Sequence, residues 1–221
     1  MFIDKIIVIN LDRAKERKNK LLSSFDRVGI KDGDVLFLSA FDSEFLNNDF
    51  DRKIFGVDMG RTFAKGEICC TISHIMAIKI AKSLNYKKIL ILEDDIEICD
   101  EFIDKINNLE NQLPKEWDQI YIGAILSTLG EKITENLHTI NTDCMLGTHS
   151  YLLNETAYDK ITNKLLEFNS STDGEYNILH KKKNIISYIH IPLMTYQYDG
   201  YSYITCSDKN MKNMTNKYYK Q

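Results

Sequence analysis

The chain has 221 residues, enough for one sizeable α/β domain or one domain with a modest appendage. Hydrophobic residues make up 43% and aromatic residues 10%, enough to fill a core. The net charge of −4 gives no bulk electrostatic support to nucleic-acid binding or to attraction to a membrane surface.

The opening MFIDKIIVINLD is too short an apolar run for a signal peptide, and Asp4 and Lys5 interrupt it. No stretch approaches the roughly 18 apolar residues of a membrane span. The chain is expected to be soluble and cytoplasmic, with no transmembrane segment; peripheral membrane contact stays open. The five cysteines, Cys69, Cys70, Cys99, Cys144 and Cys206, form no CxxC pair and read as reduced or buried thiols, not as a zinc site.

Along the chain, Ile6-Ile7-Val8-Ile9 predicts a strand buried on both faces, as in a parallel sheet. Asn10-Leu11-Asp12-Arg13 ends it, and Asp12 is placed to cap a charged helix running to about Val28. Val35 to Leu38 predicts a second strand, and residues 42 to 65 a loop-rich excursion. A largely buried helix is expected from about Gly66 to Leu84, because its apolar residues occupy more than one side. Glu67, Thr71 and His74 fall on one stripe of that helix and need a partner, either an internal network or a site. Lys88 to Leu92 predicts a strand, residues 100 to 112 a helix, and Asp118 to Ile122 a strand closed by Gly123. A hairpin-like region near 125 to 153, helices near 155 to 168 and 173 to 182, and a strand from Ile185 to His190 complete the pattern. Strands alternating with helices point to an α/β fold with a mostly parallel sheet.

The sharpest local feature is LILEDDIEI, residues 90 to 98. With Ile89 before it, the run Leu90-Ile91-Leu92 makes four apolar residues that bury the strand, and Glu93, Asp94 and Asp95 follow at its C-terminal end, where open α/β sheets bind ligands. Three adjacent negative charges need compensation. A hard divalent cation, magnesium or manganese, supplies it and leaves room for phosphate oxygens; otherwise the cluster is a solvated acidic turn.

Three segments carry a resemblance. VINLDRAKERK, then GEICCTISHIMAIKIA leading into LILEDDIEI, and finally Gln197 with Ser202-Tyr203-Ile204 resemble the glycosyltransferase family 25 enzymes, which include lipooligosaccharide and collagen galactosyltransferases. The resemblance implies a GT-A-like nucleotide-binding fold with a mostly parallel central sheet flanked by helices. It implies a single glycosyltransferase domain over residues 1–206, with 207–221 a polar Lys- and Asn-rich tail. The implied activity is a metal-dependent, inverting transfer of a hexose, galactose before glucose, from a UDP-sugar. The acceptor would be a hydroxyl of a glycan, glycolipid or protein, as in lipopolysaccharide biosynthesis. By position, Asn10, Leu11, Asp12 and Arg13 would lie beside the nucleotide, and Gly66, Glu67, Ser73 and His74 under the donor. Glu93, Asp94 and Asp95 would hold Mn2+ (or Mg2+) and the diphosphate.

Other candidates keep two readings. His190 is a further metal ligand or a core histidine. Asp173 and Glu175 are candidate catalytic bases, with Asp173 alternatively a helix cap. Gly147 to Tyr151 is a sugar contact or a plain turn, and Lys181 to Lys183 reads as a solvated surface. Two other functions compete: a catalytically silent sugar- or nucleotide-binding module, and a two-carboxylate glycoside hydrolase, which would not need metal.

Overall fold

A computed structural model describes residues 1–46, 65–126, 128–140, 145–204 and 207–209. Its centre is a seven-stranded sheet. Strand β1 (Lys5–Asn10) lies between β2 (Val35–Ser39) and β3 (Lys88–Glu93), parallel to both. Beyond β3 come β7 (Met145–Asn154), β5 (Gln119–Leu126), β8 (Ser187–His190) and β6 (Leu137–Thr139), in the order β2-β1-β3-β7-β5-β8-β6. Strands β7 and β6 run against their neighbours and β5 and β8 run parallel to each other, so five of the seven strands share one direction. The mostly parallel α/β sheet expected from the sequence is therefore the fold found.

Helices cover both faces. Successive residues of β1 and β3 point to opposite sides. Ile7, Ile9, Ile89 and Ile91 join a core with Ile75, Ile78 and Ala81 of α2 (Lys65–Ser83), Ile161 and Leu165 of α4 (Tyr158–Leu165), and Tyr176 and Leu179 of α5 (Thr172–Lys181). Ile6, Val8, Leu90 and Leu92 join a second core with Leu21 and Phe25 of α1 (Lys15–Val28) and Phe102, Ile106 and Leu109 of α3 (Phe102–Gln112). Burial on both faces explains why β1 and β3 read as continuous apolar runs rather than as alternating ones.

Four details differ from the sequence reading. Asp12 does not cap α1: the N-cap is Ala14, with no side-chain hydrogen bond, and Asp12 instead accepts from Ser39 Oγ at 2.8 Å. The strand does not stop at Gly123 but continues as β5 to Leu126, with register shifts on either side of the glycine. A Cβ there would stand 2.1 Å from Thr195 Oγ1 and 2.8 Å from His149 Nε2, so close packing requires the glycine, not a turn. The region from 125 to 153 is no simple hairpin, because β6 leaves to pair with β8. Ser207–Lys209, at the start of the expected tail, forms β11 against β10 (Gly200–Ser202). Most of the expected excursion, residues 47–64, lies outside the described residues, as do Cys144 and Cys206. Cys70 and Cys99 are free thiols.

Candidate functional site

Parallel pairing puts the C-terminal ends of β1 and β3 side by side, with Ile9 opposite Glu93. The next residue on β1, Asn10, then faces the residue after β3, and Asn10 Nδ2 donates to Asp94 Oδ2 at 2.7 Å. Strand β7 runs the other way, so its first half reaches the same end, where Thr148 Oγ1 donates to Glu93 Oε1 at 3.1 Å. The two-stranded pairing of β4 (Ile96–Ile98) with β9 (Thr195–Gln197) brings in the late segment. There Gln197 Nε2 donates to Asp95 Oδ1 at 3.1 Å, and the Tyr198 amide donates to the Asp95 carbonyl. The acidic cluster is thus held from three directions by residues far apart in the chain.

A cleft of about 680 Å³, its open mouth included, lies over this sheet end. Leu11, Arg13, Gly66, Ser73, His74, Glu93, Asp94 and Asp95 all line it, together with Arg17, Asp42, Gln197 and Tyr203. Gly66 matters by its missing side chain: a Cβ would meet the backbone of Ile204 at 2.6 Å. The glycine therefore lets the 202–204 segment close over the start of α2.

Arg17 lies at the electrostatic centre. Its Nη1 donates to Asp94 Oδ1 at 2.8 Å and stands 3.6 Å from Asp95 Oδ2, and Nη2 donates to the Tyr201 carbonyl. The Tyr203 ring covers the guanidinium groups of both Arg13 and Arg17, at 4.5 and 4.7 Å from its centroid. Arg13 forks onto Asp42 at 2.6 and 3.1 Å. That bond holds the Asp42 carboxyl below its ordinary range, against a smaller upward push from burial.

The three carboxylates respond differently to their settings. Burial pushes Glu93 up, but His74, with help from His149 and Thr148, more than offsets it, and the net shift is downward. Burial raises Asp94 despite Arg17 and Asn10. Burial and the neighbouring Glu93 charge push Asp95 up to about 6, which Arg17 only partly counters. One guanidinium is not enough for the cluster. Asp94 and Asp95 present carboxylate oxygens at the cleft wall, donors of the kind that could hold a hard divalent cation.

The remaining expected residues fall elsewhere or serve other partners. Asp12 is exposed and bonded to Ser39. Ser73 Oγ donates to the Cys69 carbonyl and accepts from the Phe41 amide, tying α2 to the loop after β2. The Glu67, Thr71, His74 stripe is divided: Thr71 Oγ1 bonds the Glu67 carbonyl and lies 2.8 Å from Thr172 Oγ1, while His74 turns to Tyr151 and Glu93. Glu175 is fully buried, accepts from the Ser170 amide at 2.7 Å and pairs with Lys164 at 3.1 Å. That setting suits closing the start of α5, not accepting a substrate proton. Asp173 accepts from Ser171 Oγ and from the Gly174 and Gly147 amides. His190 sits at the end of β8 with Nδ1 donating to the Pro192 carbonyl at 2.8 Å, and it does not line the cleft. Lys181 to Lys183 are exposed, as expected.

Comparison with known proteins agrees with the geometry. The family model described as "Glycosyltransferase family 25 (LPS biosynthesis protein)" matches residues 3–175. A "Glycosyltransferase 25 family member" of Aedes aegypti is 33% identical over 134 residues, covering 56% of this chain and 21% of that protein. "Procollagen galactosyltransferase 2" of Mus musculus is 30% identical over 135 residues, 56% of this chain and 21% of its own. "Probable inactive glycosyltransferase 25 family member 3" of Bos taurus is 30% identical over 135 residues, 56% of this chain and 22% of its own. The matched stretch thus spans about a fifth of the length of each of these three relatives.

Proposed function

The chain belongs to glycosyltransferase family 25, and from that premise we propose that it transfers a hexose, galactose before glucose, from a UDP-sugar to an acceptor hydroxyl, with inversion and with Mn2+ or Mg2+. The observation that carries this reading is the convergence of Asp94, Asp95 and Arg17 at one sheet end, with the buried Asn10 behind Asp94, in a cleft that Leu11 and Arg13 also line. A divalent ion held by Asp94 and Asp95 would offset the charge that builds on the leaving diphosphate. Arg17 adds a fixed positive charge at the same place, kept in position by Asp94 and by the Tyr203 ring. Asn10 holds the Asp94 carboxylate by its second oxygen, and Gln197 holds Asp95, so both acids are oriented before any ligand arrives.

In the reaction the acceptor oxygen forms a bond to the anomeric carbon as the bond from that carbon to the diphosphate oxygen breaks. The nucleoside diphosphate leaves with the electron pair, and the acceptor proton passes to a base. Of the two expected bases, Glu175 is spent on Lys164 and Ser170, while Asp173, held by Ser171, Gly174 and Gly147 and outside the cleft lining, keeps the role in this proposal. The acceptor, a glycan, glycolipid or protein hydroxyl, belongs to the same proposal. A second reading, a silent binding module, is favoured by the Arg17 side chain standing between Asp94 and Asp95, where a cation would otherwise compensate them.

The test is release of UDP from a panel of UDP-sugars, with manganese and with chelator. Release from one donor that needs metal supports transfer, because slow donor hydrolysis stands in for an acceptor. Release that chelator leaves unchanged sinks the metal role. Binding of UDP without turnover on any donor or acceptor class moves the chain to the silent reading.

A further inference from the structure

One wall of the cleft carries donors of a different kind from the strand-end acids. Cys70 and His74 stand one helical turn apart on α2, so both side chains project from the same face. Glu93 meets them from β3. One ligand atom from each of Cys70, His74 and Glu93 lies within 4.8 Å of the other two. His74 is fully buried, and its Nε2 makes no hydrogen bond; it lies 3.4 Å from Glu93 Oε1. A buried ring nitrogen left in that state is costly unless something takes its lone pair or proton.

The other side of the ring is built. His74 Nδ1 lies 2.7 Å from the Tyr151 hydroxyl, which accepts from the Tyr176 hydroxyl at 3.0 Å. The two rings are also stacked, with centroids 5.8 Å apart. Binding a metal at Nε2 requires the ring proton to sit on Nδ1 and be donated to Tyr151, which frees the Nε2 lone pair beside Cys70 and Glu93. Histidines that bind metals are oriented in this way, through a partner on the ring nitrogen that does not bind.

We propose that Cys70, His74 and Glu93 form a site for a thiophilic divalent cation of the zinc class, on the wall of the cleft and distinct from the hard-cation position at Asp94 and Asp95. The donor set decides the class: thiolate and imidazole select zinc or cobalt over magnesium and manganese, and three protein ligands leave a fourth position open to the cleft. On binding, the Cys70 thiol gives its proton to solvent and a sulfur–metal bond forms; Thr172 Oγ1, which donates to Cys70 Sγ at 3.6 Å, supports the resulting thiolate. None of this depends on the sugar-transfer reading, because the ligands and their geometry stand without it.

The test is titration of the whole metal-free protein with Co2+, read by the near-ultraviolet thiolate-to-cobalt absorption band. One equivalent should produce the band, and Zn2+ should displace it. The band should be lost in Cys70→Ser and kept in Cys69→Ser and in Asp95→Asn, with circular dichroism confirming that each variant is folded. No band in the wild type, or a band that survives Cys70→Ser, would overturn the site.

Discussion

Asp95 is held where burial and charge both work against it. Its proton stays on up to about pH 6 in the folded chain, whereas an unfolded aspartate loses it near 4. Between those values the native state binds more protons than the unfolded state, so stability falls as pH rises through the window and stays lower above it. Asp95→Asn removes that cost. The metal-free variant should melt higher than wild type at pH 7.5, by up to about 2 kcal/mol, with the gain shrinking toward pH 4. A variant that melts lower at pH 7.5 would mean that Arg17 already compensates Asp95. His180 has the opposite sign. Burial pushes its imidazole down to about 4, and Nε2 donates to Gln119 Oε1 at 2.9 Å. The unfolded ring takes up its proton near 6.5, so the contribution is present above 6.5 and is lost as pH falls toward 4. In the Asp95→Asn background, where the opposing carboxylate effect is gone, urea midpoints should drop as pH falls across that window, and less steeply when His180→Gln is added. The acids themselves were legible in the sequence, because three carboxylates directly after an apolar run are hard to bury without a purpose. Arg17 was not. It lies in a charged run that reads as helix surface, and only the fold brings it across 77 residues to Asp94.

At the level of elements, the site depends on where segments stop and how closely they approach. Glycine at 66 was picked out only through the resemblance; the reason for it is the Ile204 backbone, which a Cβ would meet at 2.6 Å. Gly66→Ala should push the 202–204 segment outward, destabilise by about 1–3 kcal/mol, and weaken nucleotide binding more than it weakens the fold. Unchanged UDP affinity in a folded Gly66→Ala protein would separate that segment from the site. The strands β1 and β3 were readable because burial on both faces leaves continuous apolar runs. The limit of β5 was not, because Gly123 looks like a stop in sequence and acts as a packing gap for His149 and Thr195. Asp12 misled for a similar reason: an aspartate before a helix suggests a cap, and here Ser39 on the neighbouring strand has it. Gln197 lies 102 residues from Asp95, and no local pattern announces their contact.

For the whole molecule, two cores on opposite faces of one sheet make the sheet end a rigid place to hold charged groups at fixed distances. Among the described residues, no helix is long and apolar enough to cross a membrane. The matching stretch is a small share of the Aedes aegypti relative, and the Asn10, Gly66 to His74 and Glu93 to Asp95 positions all lie within the region 3–175 that the family model matches. On the proposed function, the end of β3 binds a nucleoside diphosphate together with a divalent ion, and calorimetric titration of UDP into wild type and Asp95→Asn, with Mn2+ and with chelator, measures that coupling. Manganese should tighten UDP binding in the wild type by about tenfold or more, roughly 1.4 kcal/mol, and should do nothing for Asp95→Asn. UDP binding that is equal with and without metal, or unaltered in Asp95→Asn, would contradict it.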